Sequence, residues 1–183
     1  MNSKKTLADF FRLKTQGQKF SCITCYDYTT ATIIAGTDID SVMVGDSAAQ
    51  AILGYDSTLP IDIDTMVLLT RAVRRGLPES FIIADMPFLS YQVCVEDAIR
   101  NAGRFLTESY ADIVKIEASE HEVETVRAVS RAGIAVMAHI GIRPQSIGLY
   151  GRLKAEGTSA IQARSLIDLS ERMINAGARM LLI

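Results

Sequence analysis

The chain has 183 residues, 49% of them hydrophobic, which is enough to bury one good-sized core, and a single domain over residues 1–183 is expected. Its 19 basic and 21 acidic residues are spread along the chain and leave a formal net charge of -2, so there is no electrostatic footprint for nucleic acid or an anionic membrane. No run reaches the ~18 apolar residues that a membrane span needs, and three cysteines form no disulfide framework, which leaves small-molecule chemistry in a reducing cytoplasm.

The opening Met1-Asn2-Ser3-Lys4-Lys5 runs straight into a short amphipathic stretch, so no signal peptide is expected. From there, short β-branched runs alternate with longer helical patterns, and each run is closed by Gly, Asp or Pro. The pattern predicts a first strand over 20–26 and a helix over 28–35. Within that strand Cys22 and Cys25 spell C-x-x-C, but with no second ligand pair nearby they read as part of an apolar strand rather than a zinc or redox half-site. A second strand over 41–45 leads through the polar segment 56–60 to a helix over 64–75. Strand three (81–84) is followed by a helix over 95–108, and strand four (112–117) by a helix over 120–131. Strand five covers 134–138, a long loop leads to a helix over 160–176, and a sixth strand begins at 178 and runs to 183.

Strict strand-helix succession implies a parallel sheet, either doubly wound or a (βα)8 barrel. A dinucleotide-binding sheet would carry G-x-G-x-x-G after its first strand, where this chain has Cys25-Tyr26-Asp27-Tyr28-Thr29. A barrel instead gathers its chemistry from the C-terminal ends of several strands, because those ends share one mouth. The α/β class with a (βα)8 TIM barrel, about six of its strands present, is therefore the expected fold.

The strand ends carry the chemistry. Strand two ends in Val44-Gly45-Asp46-Ser47, strand three in Ala84-Asp85-Met86-Pro87, strand four in Lys115-Ile116-Glu117 and strand five in Ala138-His139-Ile140-Gly141. Lys115 and Glu117 are two apart and so project to one face. If Val114 and Ile116 pack on the outer helices, that face is the barrel interior. Asp46, Asp85 and Glu117 would then surround the mouth, where hard oxygen ligands suit a cation such as Mg2+ that keeps some of its waters. Taken singly, Asp46 or Asp85 could be a helix cap, Lys115 with Glu117 a structural ion pair, and His139 a satisfied structural histidine. Four successive strands each ending in a useful group on one rim are not explained by capping alone.

Several stretches in order resemble the ketopantoate hydroxymethyltransferase family, over a span from about Thr24 to the last residue. They are Thr24-Cys25-Tyr26-Asp27-Tyr28, Val44-Gly45-Asp46-Ser47, Gly54-Tyr55-Asp56-Ser57-Thr58-Leu59-Pro60, Ala72-Val73-Arg74-Arg75-Gly76, Ala84-Asp85-Met86-Pro87-Phe88, Val114-Lys115-Ile116-Glu117, and His139-Ile140-Gly141 with Pro144-Gln145-Ser146. The resemblance implies transfer of a hydroxymethyl group from 5,10-methylenetetrahydrofolate to the α-keto acid 3-methyl-2-oxobutanoate, giving 2-dehydropantoate on the way to pantothenate and coenzyme A. It further implies Mg2+ or a similar cation on Asp46 and Asp85, with Glu117 reaching it through a water, and an enolate stabilised by that cation. Ser47 and Lys115, with Asp46 and Asp85, would bind the substrate, and His139 would meet the new hydroxymethyl oxygen. Homo-oligomeric assembly is implied by the same resemblance.

The family's general base is a Glu directly after an apolar run like Met180-Leu181-Leu182-Ile183, and this sequence ends at Ile183. A complete barrel typically takes ~250 residues, so a C-terminally incomplete barrel, a fragment of a longer enzyme, is expected. Smaller departures are Ala48-Ala49-Gln50 after the Gly-Asp-Ser turn, Ala138 where a Gly is usual, and the 150–157 loop. Two other readings stand beside this one: a lyase of the related phosphoenolpyruvate mutase and isocitrate lyase barrels, and an inactive truncated subunit.

Overall fold

The computed structural model describes residues 4–152 and 155–183. Met1, Asn2 and Ser3, on which the N-terminal reading partly rests, and Leu153 and Lys154 of the departing loop lie outside the described residues.

Six strands succeed one another with helices between them: β1 (Cys22–Thr24), β2 (Ser41–Val44), β3 (Phe81–Asp85), β4 (Ile113–Glu117), β5 (Val136–His139) and β6 (Met180–Leu182). All neighbours pair in parallel, and the sheet order β1-β2-β3-β4-β5-β6 is the order of the sequence. The helices are α1 (Leu7–Thr15), α2 (Tyr28–Ile34), α3 (Ala48–Ala51), α4 (Ile63–Gly76), α5 (Val95–Ser109), α6 (Val123–Arg131), α7 (Ile147–Tyr150) and α8 (Ala160–Ala176). Among the described residues no helix is long and apolar enough to cross a membrane.

Most boundaries agree with the sequence reading, and the differences have local causes. β1 is shorter than 20–26 because Phe20 turns away to stack edge-on against Phe10 of α1, and Ser21 is held by the Asp40 carboxylate. The fifth strand begins two residues later than expected, since the Ile134 amide still bonds back to Val129 O at the end of α6. Asp112 ends outside β4 because its carboxylate is taken by Arg74 and Lys4. Two short helices, α3 and α7, occupy stretches read as loop.

Alternation along the strands divides the apolar residues into two cores. Val42, Val44, Ile82, Ala84, Val114, Ile116, Val136 and Ala138 point outward and pack with helical residues such as Met66, Val73, Phe105, Val129 and Met173. Phe81, Ile83, Ile113 and Met137 point the other way and form an inner cluster closed at its base by Phe10 of α1. Burying each of these Ile or Phe side chains contributes about 1.5–3 kcal/mol. Inner apolar residues share a face with the polar ones further along the same strand: Ile83 with Asp85, Ile113 with Lys115 and Glu117, Met137 with His139. Apolar packing in the lower inner layer thus fixes the direction of the polar side chains above it.

The stretch ending in Arg74-Arg75-Gly76 belongs to the opposite end of the sheet. Arg74 is buried and donates to the carbonyls of Leu77, Pro78, Ser80 and Tyr110 and to Asp112. Gly76 lets α4 approach α2 closely, since a Cβ there would sit 2.6 Å from Ala31 Cβ and 2.9 Å from Tyr28 O.

Candidate active site at the strand ends

The polar residues of the rim are buried together. Asp46, Asp85, Lys115, Glu117 and Gln145 are each 2–5% exposed. Burial of this many polar groups is sustained only if they satisfy one another.

Asp46 and Ser47 come after β2 on a turn opened by Gly45, where a Cβ would meet Ser47 Oγ at 2.7 Å and Asp85 Oδ2 at 3.4 Å. A larger residue at this crowded point would push the Ser47 hydroxyl out of its place beside the Asp85 carboxylate. The Asp46 amide donates to Asp85 Oδ2 at 3.1 Å, and the Lys115 ammonium reaches the same oxygen at 3.1 Å. Ser47 Oγ is 2.9 Å from the Tyr26 hydroxyl, which arrives from the end of β1. His139 Nδ1 stands between Lys115 Nζ at 3.4 Å and Glu117 Oε1 at 3.6 Å.

Gln145 ties these strand ends together. Its Nε2 donates to Asp46 Oδ2 at 2.8 Å and to Met86 O at 3.0 Å. Its Oε1 accepts from the Tyr91 hydroxyl at 2.7 Å and from Gln92 Nε2 at 3.3 Å, and its backbone N–H donates to Glu117 Oε2 at 3.0 Å. Gln145 sits in a single 3-10 turn, Pro144–Ser146, on the loop after β5.

The electrostatics are set by burial and crowding. Desolvation, reinforced by the Asp85 charge, raises the Asp46 carboxyl to about 7, against the opposing pull of Lys115 and Gln145. Burial likewise raises Asp85, with Lys115 opposing it. For Lys115, desolvation works against the charge, but Asp85, Asp46 and Glu117 outweigh it and hold the ammonium above its ordinary value. Two carboxyls are thus gathered at an energetic cost that one ammonium offsets only in part.

A divalent cation would offset more of it. Asp85 Oδ1 is buried without a hydrogen-bond partner, and an orphaned carboxylate oxygen beside Asp46 makes a hard-oxygen donor pair that suits Mg2+ with waters completing its shell. Among the described residues no group of three or more His, Cys, Asp or Glu stands ready to hold a metal. Glu117 has one oxygen on the Gln145 amide and the other toward His139. Beside the site lies a cavity of about 620 Å3 that shares Glu117, Gln145 and Tyr91 with it and is also lined by Phe88, Arg143 and Leu149, a volume suited to a small organic ligand, while Asp46, Ser47, Asp85, Lys115 and His139 are not in its lining.

All six residues singled out in the sequence, Asp46, Ser47, Asp85, Lys115, Glu117 and His139, therefore meet at one rim. Gln145, Tyr26 and Tyr91 also belong to it: a search for titratable groups at strand ends passes over the amide of Gln145, and the two tyrosines do not close an apolar run with a charge. For Tyr26 and Gln145 the sequence signal is membership of the ordered stretches around Tyr26 and Pro144-Gln145-Ser146, while Tyr91 lies outside every such stretch. Cys22 and Cys25 are free thiols, one exposed and one buried, and stand apart as part of the β1 strand end.

Against known families, residues 4–183 match the model of ketopantoate hydroxymethyltransferase. The chain belongs to the ketopantoate hydroxymethyltransferase family. It is 42% identical over 174 residues to the 3-methyl-2-oxobutanoate hydroxymethyltransferase of Geobacillus thermodenitrificans (strain NG80-2), covering 95% of this chain and 62% of that relative. A Bacillus cereus (strain AH820) protein of the same name is 41% identical with the same coverage. The chain thus spans about 62% of the length of these curated relatives.

Solved structures place the fold of this ketopantoate hydroxymethyltransferase family member among barrel enzymes. A 2,3-dimethylmalate lyase of the PEP mutase/isocitrate lyase superfamily matches with a TM-score of 0.67 at 17% identity, over 97% of this chain and 62% of that one. A phosphonopyruvate hydrolase in complex with oxalate and Mg2+ matches with a TM-score of 0.71 at 12% identity, again over 97% and 62%. At such identities the likeness is one of fold. The expected (βα) barrel with six strands in this chain is borne out.

Proposed function

We propose that the whole protein transfers a hydroxymethyl group from 5,10-methylenetetrahydrofolate to 3-methyl-2-oxobutanoate, giving 2-dehydropantoate for pantothenate and coenzyme A synthesis. The single observation that carries this reading is the buried set Asp46, Asp85, Lys115 and Glu117 at adjacent strand ends in a chain of this family.

Asp46 and Asp85 would hold the divalent cation, and Glu117 would reach it through a water. When bound, such an ion supplies Lewis acidity to the oxygens of an α-keto acid and so favours loss of its C3 proton as an enolate. Mg2+ is the first choice because a phosphonopyruvate hydrolase of the same fold is found with Mg2+ and oxalate. Lys115 and the Ser47 hydroxyl and amide would bind the substrate carboxylate, the ammonium by charge and Ser47 by direction. Tyr26, bonded to Ser47 Oγ, aims that hydroxyl. His139 would hydrogen-bond the hydroxymethyl oxygen as it forms. The cavity beside Glu117 and Gln145 would receive the folate donor. The resemblance assigns proton removal to a Glu after the sixth strand, and the rim residues named here would orient and polarise the keto acid for it. Cytoplasmic location and homo-oligomeric assembly are part of the same proposal.

The test is an assay of the natural full-length protein with Mg2+. Folate-dependent consumption of 3-methyl-2-oxobutanoate with formation of 2-dehydropantoate is expected. Cleavage of a 2-methylisocitrate-like substrate without that activity would replace this reading with the lyase one, and cation binding without either reaction would favour an inactive subunit.

A further inference from the structure

Gln145 uses every hydrogen-bonding position of its side chain inside the site. Two N–H groups go to Asp46 Oδ2 and Met86 O, and two oxygen lone pairs accept from Tyr91 and Gln92. The pattern admits only one amide orientation. The Met86 carbonyl can only accept, so the nitrogen must face it and Asp46 Oδ2, and the Tyr91 hydroxyl, which also lies 3.2 Å from Glu117 O, donates to the amide oxygen at the shorter 2.7 Å. The backbone N–H of the same residue holds Glu117. One residue of the loop after β5 thus grips carboxylates from the ends of β2 and β4 at once.

We propose that Gln145 is a positioning residue: it holds the Asp46 and Glu117 carboxylates in one orientation toward the cation and substrate, with Tyr91 locking its amide. The proposal rests on the function proposed for this site. Asp46 lies on a tight turn and could rotate about its side chain. With Gln145 on Oδ2 and the Asp46 amide on Asp85, the two carboxylates keep a fixed relation. Partners of this kind, one bond removed from a cation, typically govern its affinity by about 10–100-fold.

The experiment compares the natural full-length protein with Gln145→Met, which keeps length and volume but removes the amide, and with Tyr91→Phe, which removes the lock on Gln145 together with the hydroxyl's longer contact to Glu117 O. Mn2+ binding is followed by electron paramagnetic resonance, and steady-state kinetics separate kcat from KM for 3-methyl-2-oxobutanoate. In Gln145→Met the Mn2+ dissociation constant is expected to rise about 10–100-fold, with kcat falling as well. Tyr91→Phe should shift both in the same direction by less. If Gln145→Met does not fold, Tyr91→Phe carries the test alone. A wild type that binds Mn2+ and turns over, beside folded variants within twofold of it on both measures, overturns this proposal and leaves the functional reading intact. A wild type that neither binds Mn2+ nor consumes the keto acid overturns both.

Discussion

Lys115 Nζ lies 3.1 Å from Asp85 Oδ2, and neither side chain is more than 4% exposed. The charges of Asp85, Asp46 and Glu117 together hold the ammonium protonated against the cost of its burial. Its removal leaves buried carboxyls uncompensated, a change that typically costs about 3–5 kcal/mol when one partner of a buried pair is lost. Lys115→Met in the full-length protein is therefore expected to unfold at clearly lower urea concentration, and to lose binding of 3-methyl-2-oxobutanoate. An unchanged unfolding midpoint would show that the pair is not the electrostatic centre of the rim.

The raised Asp46 carboxyl gives stability a defined pH dependence in the cation-free protein. An ordinary Asp titrates near 3.8, and Asp46 in the fold titrates at about 7. Between those values the folded state binds a proton that the unfolded chain has released, so this group's contribution is fully present below about 3.8 and is lost as pH rises toward about 7. Urea unfolding between pH 4 and 8, with chelator present, should show this fall, and Asp46→Asn should lessen it, leaving the part that the raised Asp85 carboxyl contributes. Cation affinity should move the other way and strengthen as pH rises through the same window, because proton and cation compete for one carboxylate. A dependence undiminished in Asp46→Asn would assign it to another group.

The strand-helix alternation was legible because it is a property of local periodicity, and the site was legible where charge stood at the end of an apolar run. The side-chain parity of Lys115 and Glu117 even gave their direction, conditional on Val114 and Ile116 packing outward, as they do. What stayed hidden depends on contacts distant in sequence. Gln145 reaches Asp46 across 99 positions, and nothing in its own neighbourhood announces that partner. The Arg74-Arg75-Gly76 stretch carries part of the family resemblance, yet its reason is scaffold: Arg74 gathers four carbonyls and Asp112 at the far end of the sheet. The shortening of β1 has the same origin, since the stacking of Phe20 on Phe10 is a tertiary contact.

Gly76 offers a test of that scaffold separate from the chemistry. A Cβ at this position would fall 2.6 Å from Ala31 Cβ and 2.9 Å from Tyr28 O, the latter a backbone atom that cannot rotate aside. Gly76→Ala should gain a little from helix propensity and lose more to the forced separation of α4 from α2, a net cost of about 1–3 kcal/mol as for other overpacked contacts. Thermal unfolding checks the cost. Mn2+ affinity should stay within twofold of wild type, as the contact lies outside the rim. A stabilised variant would mean that the two helices are free to separate.

Tyr26 gives the finest test of how the rim recognises a carboxylate. Its hydroxyl is 2.9 Å from Ser47 Oγ, and in the functional reading Ser47 turns that oxygen toward the substrate. Tyr26→Phe keeps the ring and removes one hydrogen bond, a change of about 0.5–1.5 kcal/mol, or about 2- to 13-fold in an equilibrium constant. Since Tyr26 acts on Ser47, while the cation would be held by Asp46 and Asp85, the effect should be confined to keto-acid binding. The expected result is a higher KM for 3-methyl-2-oxobutanoate, with Mn2+ affinity unchanged and kcat nearly so. Ser47→Ala should produce a similar or larger rise, and the double variant should cost no more than Ser47→Ala alone, because the tyrosine then has nothing left to orient. Additive losses in the double variant would mean that Tyr26 contacts the substrate itself.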